Sequence, residues 1–598
     1  MSEEISTTDA STTEDNSALA PPSRPESTAG GWRSVKYILG NESFEKLASM
    51  GLIGNLTLYL QSKYNMDGVL VVNVFSVWSG SSNLTPLLGA FLSDAYLGRF
   101  KTLLYGSIAS FLGMATMTLT AWAPKLRPPN CPEGSDCQPP NGTQLTALYI
   151  GLALLAIGAG GIRPCNIAFG ADQFDTRTEK GRALLASFFN WWYFSFTVAL
   201  VVALTVVVYV QTNISWVIGF AIPTVCLFLS ISLFLVGKHT YIIKKPQGSI
   251  FVDMAKVVVA CCRKWNVSFD TAPELLSLHD PPSTIGTEED QEPKLPHTER
   301  FKILDKAAMV IDKSTELDEF GRSVNQWRLC SVQQVEQLKL LVGVVPVWFT
   351  GIGCFISMDQ MSTLGIMQAI QCDHRVGNFE IPPAWMGLSS MICLSIWIFI
   401  YERIYLPIAK RKSKKEDKRM TMRQRINTGI VMAILCMVVA ATVEKKRRSL
   451  ALKHASFVSP LSIFVLLPQF ALSGLTEAFG AIAVMEFLTT HLPESMRTIA
   501  GAVFFLSLSV ASYLNTVLVN LIHHVTSGYG HRPWLGGRDL NQVTIDNYYL
   551  LIAGLAVVNL FYFNFFSCRY LKSPDGKVSC ALGDEEDGLT RRLGGEST

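Results

Sequence analysis

Apolar residues gather along this chain in runs separated by short polar joints. A helix needs about 20 mostly apolar residues to cross a bilayer, so the runs predict twelve membrane-spanning helices. In the first half they fall at roughly 43–62, 70–93, 102–122, 146–168, 186–209 and 215–236. In the second half they fall at roughly 337–357, 383–404, 427–443, 459–488, 498–522 and 548–568. Between the sixth and seventh lies a polar stretch, 238–335, with the acidic run Glu288-Glu289-Asp290 and prolines at 281 and 293. It reads as a linker without a core. Its start (249–260) and end (302–311) predict helices lying along a membrane surface. The expected fold class is all-α and polytopic, two six-helix halves with a site near the midplane. The expected divisions are a disordered tail over 1–40, bundles over 41–237 and 336–570 flanking the linker, and a second tail over 571–598.

Composition agrees with this pattern. Of 598 residues, 49% are hydrophobic and only 17% charged, against about a quarter charged in soluble domains. The first 30 residues are rich in Ser, Thr, Pro and acids and carry no apolar core, so they do not read as a signal peptide. The net charge of +3 decides little, because position matters more than the sum. Lys410 to Arg425 carries nine basic residues, and Arg99, Lys101, Arg177, Lys180 and Arg182 fall on the same side by parity. The positive-inside rule then puts both termini and the linker in the cytosol. Glu444-Lys445-Lys446-Arg447-Arg448 disagrees, because parity makes it an outer loop.

The candidate chemistry is ionisable groups inside apolar runs, which are costly there unless they face a bundle interior and pair. Glu42, Glu45 and Lys46 sit three and four apart where the first span begins, so a helix puts them on one face. Arg163 follows the small-residue run Gly158-Ala159-Gly160-Gly161 of span four. It needs a buried partner or snorkels to the interface. Glu477 in span ten is the most deeply placed carboxylate and the expected partner of Arg163, as a moving gate or a static pair. Asp94 and Arg99 flank a Gly98 turn and predict a charge clamp or a simple basic turn. Trp348, Phe355 and Met358 line up along span seven as candidate cavity residues, and span five is dense in aromatics from Phe188 to Phe196. Cys131 and Cys137 bracket a Pro/Gly-rich loop expected outside, where they can either pair in a disulfide or stay free thiols. No metal-ligand spacing, nucleophile–base set or phosphate-cradling loop is apparent, so neither an enzyme nor a resident cofactor is expected.

Several of these pieces together resemble the plant nitrate/peptide transporter family, proton-coupled members of the major facilitator superfamily. They are Glu42-x-x-Glu45-Lys46, the Asp94–Arg99 loop, Phe169-Gly170-Ala171-Asp172-Gln173-Phe174, Phe188-Phe189-Asn190-Trp191 and Pro468-Gln469-Phe470. The finer text looks like the subfamily of glucosinolate, other glycoside and some nitrate carriers. The resemblance implies a symporter driven by the proton gradient, with protons, a small molecule and the bilayer as partners and no nucleic acid. It implies proton coupling at Glu42, Glu45 and Lys46 and a gate between Arg163 and Glu477. Two departures matter. Lysine at 46 replaces the more common arginine and lacks its bidentate fork. The family's nitrate-binding histidine falls at Met358, whose thioether has no N–H to donate. Thr102 matches a threonine phosphorylated in one branch, which would make a kinase a partner. The reading is a plant plasma-membrane importer of glycosylated metabolites, flavonol glycosides favoured, with the tonoplast as the other address. The rivals are a low-affinity nitrate carrier and a transport-dead sensor or channel-like protein.

Overall fold

The computed structural model describes residues 30–131, 137–175, 178–244, 246, 248, 250–267, 278–280, 295–408, 420–493, 496–528 and 532–571. Residues 1–29 and 572–598 of the expected tails, and 410–419 of the basic run at 410–425, lie outside these residues.

The first half holds α1 (Trp32–Ser62), α2 (Gly68–Leu92), α3 (Arg99–Trp122), α4 (Gly142–Ala171), α5 (Glu179–Ile214) and α6 (Trp216–Val236). A linker helix, α7 (Ile250–Arg263), follows. The second half holds α8 (Val332–Ile370), α9 (Trp385–Ile408), α10 (Met422–Lys453), α11 (Ile463–His491), α12 (Arg497–Ser527) and α13 (Ile545–Phe565). The chain is thus all-α, with twelve long helices in two halves among the described residues. Ten of them are apolar and long enough to cross a membrane by composition alone. Helices α1 and α2 fall short. In α1 the reason is plain: Asn41, Glu42, Glu45, Lys46, Asn55 and Gln61 are buried against neighbouring helices.

Helix α1 begins at Trp32, earlier than the expected boundary at 41. Its entry is pinned where Gly30 N donates to Thr240 O and Gly31 N to Gln173 O, both at 2.8 Å. Helices α2, α3 and α4 approach through glycines. A Cβ on Gly160 would come within 2.9 Å of Thr85 O, and one on Gly161 within 2.7 Å of Thr102 O. The α4 helix then breaks at Arg163–Cys165, where Pro164 removes a donor.

The run at 444–448 is not a loop. It continues α10, and Arg447 forks onto Glu444 through Nε and Nη2, both at 2.8 Å, with both residues fully buried. Arg448 Nη1 pairs with Asp546 at 2.9 Å. Two of the four cations are therefore neutralised inside the protein, which weakens the run as a positive-inside signal.

The linker does have a small core, contrary to expectation. Val257, Ala260 and Cys261 of α7 pack on Ala307, Ala308, Cys330 and the foot of α8. His297, Asp305 and Glu336 converge beside it. Lys339 Nζ fills that cluster as its cation, 2.7 Å from Asp305 and 2.8 Å from Glu336.

The hydrogen bonds that join the two halves gather at the end away from the linker. Gly68 N donates to Gly537 O (2.8 Å), Thr57 Oγ1 to Ser362 O (3.0 Å) and Gln61 Nε2 to Arg538 O (3.3 Å). Asn73–Asn520, Ser76–Asn515 and Ser81–Tyr513 continue the seam down α2 and α12.

Candidate functional site

Two ionisable clusters face the interior, one in each half. In the first half, Glu42, Glu45 and Lys46 occupy one face of α1 and are each at least nine-tenths buried. Lys46 Nζ lies 3.1 Å from Glu45 Oε2 and 3.6 Å from Glu42 Oε1. Asn166 Nδ2, just past the α4 break, donates to Glu42 Oε2. Arg163 Nη1 donates to Ser82 O and Asn83 Oδ1 of α2, both at 3.1 Å. Arg163 also lines a small cavity together with Glu45. Two acids and two cations thus share one half, near neutrality.

Glu477 belongs to a different space. It opens a π-helical turn of α11, Glu477–Ala481, beside a cavity of about 220 Å³ between the halves. Met358, Asp359, Phe355 and Phe470 line that cavity from the second half, and Met50, Ile53 and Leu204 from the first. Arg163 is not among its lining residues, so in this conformation Arg163 and Glu477 do not pair. The break after Gly160-Gly161 sets the Arg163 guanidinium against α2, where a carbonyl and an amide take its donors.

Trp348 does not line the cavity either. Its Nε1 donates to Val503 O at 2.9 Å, and its ring packs with Ile352, Phe355 and Ala511. The aromatics of α5 also stay out of it. Phe188 is buried in a separate cluster with Val35 and Phe174, while Trp191, Tyr193 and Phe194 are exposed on the helix surface. The basic residue of the α2–α3 turn pairs differently from expectation. Arg99 Nη1 meets Asp172 Oδ2 at 2.5 Å, and Lys244 Nζ meets Asp172 Oδ1 at 2.8 Å. Asp172, just past α4, therefore makes the direct ion pair of this turn, while Asp94 lies near enough to Arg99 to interact with its charge.

These clusters lie on a scaffold with known relatives. A family model described as PTR2: POT family matches residues 100–535. The chain belongs to the POT family. Protein NRT1/ PTR FAMILY 2.8 of Arabidopsis thaliana is 56% identical over 546 residues, 90% of this chain and 95% of that protein. Protein NRT1/ PTR FAMILY 2.12 of the same plant is 45% identical over 91% of this chain and 93% of its own length. The crystal structure of the POT family transporter PepTSo superposes with a TM-score of 0.63 at 19% identity, over 90% of this chain and 98% of that one. A POT family transporter in complex with 5-aminolevulinic acid superposes with a TM-score of 0.55 at 13% identity, over 90% and 97%. The POT-family chain is a multi-pass membrane transporter and not an enzyme.

One residue of the POT-family cavity escapes sequence reasoning. Asp359 lies deep in α8, its Oδ2 buried without a hydrogen-bond partner. An apolar window ends the seventh span near 357, which leaves Asp359 at a loop edge. The α8 helix instead runs 39 residues, to Ile370. The available signal was Asp359 standing beside Met358, a residue already singled out.

Thr102 is buried, and its Oγ1 donates to Gly98 O at 3.1 Å. A kinase would reach it only after the first turn of α3 opened. Cys131 and Cys137 are joined in a disulfide, with Cα atoms 5.6 Å apart.

Proposed function

We propose that the protein is a proton-driven symporter that carries neutral glycosylated metabolites, flavonol glycosides foremost, by alternating access. The substrate reading rests on the lining of the central cavity. Asp359 and Glu477 supply two carboxylates, and no Lys, Arg or His lines it among the described residues. Two acids in a water-poor space repel nitrate and organic anions. Met50, Met358, Met361 and Met391 give a soft, adaptable apolar wall suited to a flat aromatic body. Ser362, Ser390, Ser473 and the carboxylates can accept hydrogen bonds from sugar hydroxyls. Ligand pockets usually exceed about 300 Å³, so this conformation would hold only part of such a molecule.

Coupling is assigned to the buried acids. Glu42 and Glu45 are held by Lys46 in one half, while Glu477 and Asp359 face the substrate in the other. A proton taken up by either set weakens its hold on a cation or frees a hydrogen bond for the substrate. One charge moved across 100 mV supplies about 2.3 kcal/mol. The linker side is assigned to the cytosol from Arg99, Lys101, Arg182 and the run at 410–425. With that orientation the seam through Asn73 and Asn520 closes the outer face of a plasma-membrane carrier.

The deciding experiment is uptake into oocytes of a flavonol diglycoside and of nitrate, at acidic and neutral outside pH. Glycoside accumulation that rises with acidity is expected. Currents with nitrate alone would overturn the substrate reading.

A further inference from the structure

The cavity shared by Glu45 and Arg163 measures about 20 Å³, and a single water needs about 10–15 Å³. Three side-chain atoms on its lining residues, Ser49 Oγ, Trp78 Nε1 and Ser82 Oγ, are buried without a hydrogen-bond partner in the protein, and a fourth, Glu45 Oε2, meets the Lys46 ammonium at 3.1 Å and has a further lone pair to offer. Glu45, Trp78 and Ser82 are each more than nine-tenths buried. Leaving such atoms dry is costly. They also differ in kind. An indole N–H only donates, an ionised carboxylate only accepts, and a serine hydroxyl can do either. Together they offer the two donors and two acceptors that complement one water molecule.

We propose that this cavity between α1, α2 and α4 binds one ordered water, which accepts from Trp78 Nε1 and donates to Glu45 Oε2, with Ser49 and Ser82 completing its shell. The water bridges the acid of α1 to α2, the helix that also carries Asn73, Ser76 and Ser81 of the interhalf seam. When Glu45 takes up a proton, its carboxyl can donate and the water must turn. The Trp78 N–H, fixed as a donor, resists that turn, so protonation on α1 is felt on α2. The charged groups around Glu45 are Glu42 and Lys46 on α1 and Arg163 on α4. The α2, α3 and α6 helices present only Trp78, Ser82, Ser110 and Leu227 to the cavity. This role in transport, though not the water itself, rests on Glu45 as a proton-coupling residue.

The test has two arms. A cryo-electron-microscopy map of the whole protein at a resolution that shows waters should contain a peak about 2.7–3.2 Å from both Glu45 Oε2 and Trp78 Nε1. A well-ordered site with no peak there overturns the proposal. In the second arm, Trp78→Phe removes one N–H and keeps the ring, and Ser82→Ala serves as a smaller change should the first not fold. Both should move the pH midpoint of uptake toward neutral, because the ionised carboxylate loses support, while transport at acidic pH is retained. If Glu45→Gln flattens the pH profile but both variants superimpose on the parent, the water's role fails and the coupling reading stands. If Glu45→Gln leaves the profile unchanged, the coupling reading falls, and the map alone decides the water.

Discussion

Asn73 of α2 and Asn520 of α12 exchange both of their amide hydrogen bonds across the seam between the halves, at 3.0 and 2.9 Å. Deeper in, Asn515 accepts from Gln360 at 2.7 Å and from Tyr548 at 3.3 Å, and donates to Ser76 at 3.1 Å. These closing contacts are uncharged. Each contributes a net of about 0.5–1.5 kcal/mol, few enough in sum for the seam to part on every cycle.

Asn515→Leu should therefore open that end. It takes the shared acceptor from Gln360 Nε2, which keeps Ile356 O, and from the Tyr548 hydroxyl, and the donor from Ser76, at about 1–3 kcal/mol for each group left unsatisfied. Every 1.4 kcal/mol moves the conformer ratio about tenfold. Spin labels on the two halves at the linker-distal end should report longer distances. An unchanged distance distribution would contradict this role for Asn515.

Asp359→Asn and Glu477→Gln keep the shape of the cavity and remove a titrating oxygen. Each should abolish accumulation against a gradient, since about 2.3 kcal/mol per 100 mV is lost with each uncoupled charge. Exchange of labelled for unlabelled substrate should persist. Accumulation at the parent level in either variant would remove that residue from the coupling path.

At the α2–α3 turn, Asp172→Asn should lower the melting temperature in detergent more than Asp94→Asn. Asp172 receives both Arg99 and Lys244. Equal shifts for the two variants would refute Asp172 as the anchor.

Glu444→Gln leaves the Arg447 guanidinium buried without its counter-charge. Breaking one side of such a pair costs about 3–5 kcal/mol. Replacing both residues with methionine should cost less than either single change, because no lone charge remains. Thermal unfolding of Glu444→Gln, Arg447→Met and the double methionine variant checks the order.

The linker should respond to acid through His279. Its backbone N donates to Ala308 O (2.8 Å) and its carbonyl accepts from Val332 N (3.0 Å), tying the linker to the foot of α8. Burial holds the imidazole below its ordinary value of 6.5, helped by Lys264 and opposed by Asp280 and Glu316. The folded linker prefers the neutral ring, so its stability is intact above 6.5 and falls as pH drops below that value. Once the slower intrinsic exchange at acid pH is divided out, amide protection near 278–280 and 307–309 should fall on acidification, and His279→Gln should remove the effect.

What the chain dictates by itself is whatever depends on neighbours along one helix. Apolar runs mark where the spans lie, and a three-and-four spacing puts Glu42, Glu45 and Lys46 together on one face. The short loop between Cys131 and Cys137 likewise keeps two thiols in reach of each other. Partners on other helices are another matter. Only the packed bundle decided that Arg163 turns to Ser82 and Asn83, that Arg99 meets Asp172, and that Asp359 reaches the central cavity. It also decided that Glu444 to Arg448 stays helical, because Glu444 and Asp546 neutralise what reads as a basic loop. The physical reason is that hydropathy reports the average surroundings of a segment. A charge inside a membrane is settled by the one oxygen or nitrogen it meets, and helix packing brings that atom from far along the chain.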